Sequence, residues 1–149
     1  MVKRSCIAIT LIALATTAAF SQEPESTLAP SISPAELHVQ RESGRAPVVI
    51  DVRTSEEFAT GHIPGAVNIE WTQMMDQSRN LRFKPDNELI TLLDSVDITK
   101  DKEVITYCQT HHRSAHTYIV LKHLGFKQLK AYPGSWSDWG NNPDLPVEM

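Results

Sequence analysis

Two short runs, "VVIDVR" at Val48 to Arg53 and "EVITYC" at Glu103 to Cys108, constrain the fold of this chain more than any other feature. Each sets β-branched or apolar residues side by side, with no clean alternation of apolar and polar positions. Such a run suits a strand whose two faces are both covered, and that is the situation of a parallel sheet. The segments between the runs read as helices. Ser33-Pro34-Ala35-Glu36 forms a capping box with proline at the first helical position, and Gly44 closes that helix. Thr54-Ser55-Glu56-Glu57 is a second capping box, ahead of a short helix that Gly61 can end. "HIPGAVNI", His62 to Ile69, turns at Pro64-Gly65 and continues as a strand. After Pro85-Asp86, residues Leu89, Ile90, Leu92, Leu93 and Val96 supply a helical apolar face. A helix is predicted from Ser114 to Leu124, with Val120, Leu121 and Leu124 as its stripe and Gly125 as its C-cap. Lys122 and His123 suit the dipole of its last turn. "QLKAY", Gln128 to Tyr132, is a final strand before the turn at Pro133-Gly134 into "SWSDWG". There is no internal repeat. Strands alternating with helices predict one α/β domain over residues 33–149, with a mainly parallel sheet and helices on both faces.

The amino end reads differently. Lys3 and Arg4 precede the uncharged run "CIAITLIALATTAAF", which ends in Ala19-Phe20-Ser21 before the polar "SQEPES". A basic start, a short apolar core and a small-residue ending predict a secretory signal peptide over residues 1–21. The run is short for a membrane span, which needs ~20 residues. The alternative is an uncleaved anchor. Residues 22–32, rich in proline and serine, read as a linker. The expected product is an exported, periplasmic protein with no stable membrane insertion once the leader is cleaved. Cleavage would remove Lys3 and Arg4 and no acid, taking the formal charge two units below its value of -4. A mildly acidic chain without a basic block is a poor nucleic-acid binder. Cleavage would also remove Cys6 and leave Cys108 without a disulfide partner. An unpaired cysteine in an oxidising compartment is either buried and inert or has a use for its thiol.

The surroundings of Cys108 bear on that choice. It ends a buried strand, and in open α/β sheets sites form just beyond the carboxyl ends of strands. With the helix starting near Ser114, residues Gln109, Thr110, His111, His112 and Arg113 make a tight loop. Its backbone N–H groups and the helix dipole would converge on one point. A cysteine there should have a lowered pKa and react as thiolate. Arg113, with His111 or His112, would add positive charge, and the same cradle suits an anionic substrate or a persulfide. Two other readings compete. His112 and His116, spaced i, i+4, can share a helix face and bind a metal, but His38, His62 and His123 are scattered and no second cluster completes a ligand set. Cysteine phosphatases carry an arginine six residues after the cysteine. Here Arg113 is five residues after Cys108 and the sixth is Ser114, so the loop is one residue shorter and fits a single added sulfur better than a phosphate.

Three stretches, in order, also resemble one family. "VVIDVRTSEEFATGHIPGAVNI", "VITYCQTHHRSAH" and "YPGSWSDWGNNPDLPVE" are similar to the signatures of single-domain rhodaneses, the thiosulfate sulfurtransferase-like proteins. The resemblance spans nearly all of residues 33–149. It implies a rhodanese-like α/β domain with a central, mainly parallel five-stranded sheet. It implies Cys108 as the sulfur-accepting nucleophile, with the amides of residues 109–113 stabilising a persulfide. Asp51 and Arg53 would stand behind the site or form an ordinary ion pair at a strand end, and the ion pair is the preferred reading. Trp136 and Trp139 would wall the pocket mouth or belong to the core. The implied reaction is a double displacement. Cys108 takes a sulfane sulfur from a small anionic donor such as thiosulfate, and a thiol or cyanide-like acceptor removes it, with no metal or cofactor. A rival reading is an exported sulfur- or ligand-binding module with little turnover. "CQTHHR" is neither the strongly basic loop of the best-known thiosulfate enzymes nor the Gly/Ser-rich loop of mercaptopyruvate enzymes. The resemblance therefore implies the reaction class and leaves the donor open.

Overall fold

The computed structural model describes residues 29–149 apart from Arg45 and Leu81. The expected leader at 1–21 and most of the expected linker lie outside the described residues. Both capping boxes form. In α1 (Pro34–Glu42) the Ser33 hydroxyl accepts from the Glu36 N–H at 3.2 Å, and the Glu36 carboxylate accepts from the Ser33 N–H at 2.9 Å. After β1 (Val48–Asp51), α2 (Ser55–Ala59) repeats the arrangement with Thr54 and Glu57. Each such cap satisfies otherwise orphaned N–H groups and is worth about 1 kcal/mol.

β2 (Val67–Asn68) follows the "HIPGA" turn. Residues 70–84, to which the sequence pattern assigns no element, hold two short 3-10 turns and an antiparallel pair, β3 (Met75–Asp76) with β4 (Arg82–Phe83). Then come α3 (Asp86–Asp94), β5 (Val104–Tyr107), α4 (His112–His123), β6 (Leu129–Ala131) and α5 (Ser135–Trp139). The main sheet has four parallel strands in the order β2-β1-β5-β6. The fifth strand is reduced to a single parallel bridge, Ser31 to Ala131. In it the Ile32 N–H donates to the Ala131 carbonyl at 3.0 Å, and the Ala131 N–H donates to the Pro30 carbonyl at 2.8 Å. Residues 30–32, on the linker side of the expected boundary, thus pair with the sheet edge.

The central strands are covered on both faces. Ile50 and Val104 face a core built with Leu89 and Leu93 of α3 and Val120 and Leu121 of α4. Val49, Ile105 and Tyr107 face a second core with Leu37 of α1 and Trp139 of α5. Burying each such aliphatic side chain contributes roughly 1.5–3 kcal/mol, which is why runs without alternation settle in the middle of the sheet. β1 and β5 are in register with Asp51 beside Tyr107, so both strands end at the same level. The chain's end returns to this side of the fold. His62 and Glu148 exchange backbone hydrogen bonds of 2.8 and 3.0 Å, and the Glu148 carboxylate accepts from the Gly65 N–H at 2.7 Å.

Candidate active site

Cys108 lies one residue past β5, a free thiol only 1 % exposed. One element, α5, fixes its backbone. From α5, the Trp136 N–H donates to the Cys108 carbonyl at 2.9 Å, and the Ser137 N–H donates to the Gln109 carbonyl at 3.1 Å. The Cys108 N–H reaches the Ser135 hydroxyl at 3.4 Å, and that hydroxyl donates to the Tyr132 carbonyl at 3.0 Å. The closing "SWSDW" segment therefore clamps the start of the cysteine loop, a role that its sequence does not announce.

The loop is shorter than expected. α4 begins at His112 instead of near Ser114, so Gln109 to His111 make the connection while His112 and Arg113 stand in the first helical turn. The turn is made by His111, whose φ of 76° is left-handed although it is not glycine. Only a few per cent of non-glycine residues adopt such a φ, with Asn, Asp and His enriched among them. The early helix start brings the N–H groups of the first turn over the sulfur. Burial works against a Cys108 thiolate. Against that stand hydrogen bonds from the Ser114 backbone and hydroxyl and from the Thr110 and Arg113 backbones, and they prevail, so the thiol pKa lies below its ordinary value. Ser114 is fully buried, and its hydroxyl lies 3.0 Å from both the His111 carbonyl and His111 Nδ1.

Two of the loop's basic side chains, Arg113 and His111, are held by protein partners. Arg113 grips Glu57 of α2 with both terminal nitrogens, at 2.6 and 2.8 Å. Its hydrogen bonds to Glu57 hold that carboxyl at a pKa of about 2. His111 points Nδ1 at Ser114, and burial together with neighbouring His112 keeps its pKa below the usual imidazole range. His112 is exposed, with Nδ1 3.2 Å from the Thr110 hydroxyl. His116 is exposed and lies against Phe83, with ring centroids 6.0 Å apart. Among the described residues no group of three His, Cys, Asp or Glu side chains is arranged to hold a metal.

Asp51 and Arg53 pair with each other behind this loop. Both are buried, with exposures of 0 and 1 %, and the Arg53 guanidinium meets the Asp51 carboxylate at 2.7 Å. Arg53 also donates to the Gly61 carbonyl at 2.7 Å. Its guanidinium carbon lies 4.5 Å from the Trp136 ring centroid and 5.7 Å from that of Tyr107. Glycines make the room for Trp136, since a Cβ on Gly140 would come within 2.6 Å of the indole and one on Gly61 within 3.2 Å. Trp136 is thus half-buried on the ion pair, while Trp139 is fully buried in the core.

A mainly parallel α/β sheet, with a cysteine at the tip of a central strand under a helical first turn, is the arrangement of rhodaneses. The rhodanese-like domain family model matches residues 33–142, and the chain belongs to that family. It is 48 % identical over 121 residues to a thiosulfate sulfurtransferase of Pseudomonas aeruginosa, covering 75 % of this chain and 44 % of that one. It is 36 % identical over 116 residues to the sulfur carrier protein TtuD of Thermus thermophilus, covering 66 % and 40 %. The chain therefore spans less than half the length of these relatives. Among solved structures, human single-domain sulfurtransferase TSTD1 superposes with a TM-score of 0.60 at 28 % identity, covering 78 % of this chain and 99 % of the human one.

Proposed function

We propose that this protein is a sulfurtransferase that carries a sulfane sulfur as a Cys108 persulfide. The observation that carries this reading is the set of hydrogen bonds from Thr110, Arg113 and Ser114 to a sulfur at a strand tip, which lowers its pKa against the effect of burial. The resemblance to sulfurtransferases named for thiosulfate supports it. The Cys108 thiolate attacks the outer sulfur of thiosulfate. The bond between the two thiosulfate sulfurs breaks, and sulfite leaves with the electron pair. The terminal sulfur of the resulting persulfide carries the negative charge within reach of the same donors, which act as fixed dipoles where that charge develops. A thiolate or cyanide acceptor then attacks the terminal sulfur and restores the Cys108 thiolate. Gln109, Thr110, His111, His112, Arg113 and Ser114 form the cradle. Asp51, Arg53 and Trp136 hold the strand ends behind it.

The deciding experiment is an intact mass of the protein after exposure to thiosulfate. Wild type should gain one sulfur atom and Cys108→Ala none. No gain from thiosulfate, mercaptopyruvate or polysulfide would remove the sulfur-transfer reading. The similarity to a protein named as a sulfur carrier favours a second reading, in which the loaded sulfur passes to one partner with little free turnover. Loading with stoichiometric sulfur but negligible release to cyanide would select it.

We also propose that residues 1–21 direct export to the periplasm and are removed there. The basic start, short apolar core and small-residue ending support this. The mass of the protein recovered from a periplasmic extract tests it. A chain that retains Met1 in the cytoplasm sinks it.

A further inference from the structure

The basic side chain that faces the sulfur is already paired with a carboxylate. Both terminal nitrogens of Arg113 bind the Glu57 carboxylate, 56 residues away in sequence. Glu57 is itself fixed, because one of its oxygens also accepts the Thr54 N–H at 2.9 Å in the cap of α2. The Arg113 guanidinium also feels the Cys108 sulfur, so it stands between a carboxylate and a thiolate. His111 does not replace it as a cation near neutral pH, since its Nδ1 faces Ser114 and its pKa lies below the imidazole range. The cradle is therefore rich in dipoles and poor in net positive charge.

From this we infer that Glu57 is a specificity-determining residue: by neutralising Arg113 it tunes the site toward singly charged sulfane donors and away from doubly charged ones. The inference rests on the sulfur-transfer reading above. The physical ground is that fixed N–H dipoles solvate one developing charge at the sulfur, whereas a second charge on the donor's far end gains only from a net cation. Glu57 acts through Arg113 and does not touch the reacting atoms.

Two donors isolate the effect. Thiosulfate is a dianion and releases sulfite. Methanethiosulfonate is a monoanion and releases methanesulfinate. In each, the Cys108 thiolate attacks the terminal sulfur, the bond to the oxidised sulfur breaks, and the same persulfide remains. Glu57→Gln keeps a residue that suits the capping box, so α2 retains its start. It should raise the ratio of kcat/KM for thiosulfate over methanethiosulfonate by about threefold or more, and adding Arg113→Gln to it should return the ratio to the wild-type value. A merely structural Glu57 would lower both donors equally, and an unchanged ratio overturns the inference, as does a raised ratio that survives loss of Arg113. Wild type alone gives a second readout that needs no variant. Added salt, which screens exposed charges over about 10 Å at 0.1 M, should weaken thiosulfate no more than methanethiosulfonate. A selective, steep loss of thiosulfate turnover with salt would show Arg113 acting as a free cation and would sink the assignment. If both donors sulfurate Cys108, failure of these ratios counts against Glu57 alone. If neither does, and mercaptopyruvate and polysulfide fail as well, the sulfur-transfer reading itself fails.

Discussion

The ends of β1 and β5 lie side by side, with Asp51 in register with Tyr107, yet their polar groups are used in opposite ways. At the end of β1 every strong group has a protein partner. Asp51 takes the backbone and side-chain N–H groups of Arg53, Arg53 reaches the Gly61 carbonyl, and Asn68 donates to the carbonyls of both residues at 3.0 Å. Two aromatic rings cover the pair. At the end of β5 the donors of the next turn converge on one sulfur. The first site is closed, its charged groups buried and paired with each other. The second has donor capacity aimed at a single atom that can change its chemistry. On the proposed function, two neighbouring strand tips in one sheet separate rigidity from reactivity, and they are joined through Trp136, which touches both Arg53 and the Cys108 carbonyl.

The sharpest way to break this contrast is at its two centres. Cys108→Ala should abolish sulfur loading, read by intact mass, while leaving the thermal unfolding profile close to wild type. Arg53→Ala should do the reverse. Removing one partner of a buried ion pair costs about 3–5 kcal/mol, so chemical denaturation should show a large loss of stability. The fraction that remains folded should still load sulfur. A stable Arg53→Ala protein with no sulfur uptake would place the ion pair inside the chemistry and erase the distinction.

Smaller changes sharpen it. Ser114→Ala removes a hydroxyl that supports the thiolate, so the pH midpoint of Cys108 alkylation by iodoacetamide should move up. Stability should fall by about 1 kcal/mol for the lost hydrogen bond. An unmoved midpoint would assign the lowered thiol pKa to the backbone alone. The smallest effect belongs to the fork between α2 and the loop. The folded-state pKa of Glu57, about 2, lies below its ordinary carboxylate value. The stability it contributes is present above that ordinary range, near 4.5, and is lost as pH falls toward about 2. The stability of Glu57→Gln should vary less with pH over this window than that of wild type, measured by urea unfolding at several pH values. The difference should be under about 1 kcal/mol, as befits a half-exposed pair.

Much of this was legible in the sequence because it depends on neighbours along the chain. Ser33 with Glu36 and Thr54 with Glu57 are three residues apart, and both caps formed as read. The lack of alternation in "VVIDVR" and "EVITYC" identified the two central strands, and a cysteine at the end of one marked the candidate site. Other features depend on contacts that spacing does not encode. α4 starts two residues earlier than expected because His111 takes a left-handed turn, and a histidine there carries no signal as strong as a glycine would. The short pair β3–β4 lies in strands of two residues each, below the length at which a period can be recognised. The fifth strand shrank to one bridge because residues 30–32 only brush the sheet edge.

Local rules in the sequence determined where the capped helices α1 and α2 begin, which strands are buried and which residue stands at the tip of a central strand. Only the tertiary structure decided which charges remain free. Arg113 reads as an attractive cation when the loop is taken by itself, and becomes half of a fork once α2 folds against it. Asp51 and Arg53 are buried as a pair because Trp136, more than eighty residues along the chain, covers them. The reason is physical. Propensities and caps act over a few residues, whereas the field at a sulfur is summed over everything that packing brings near it.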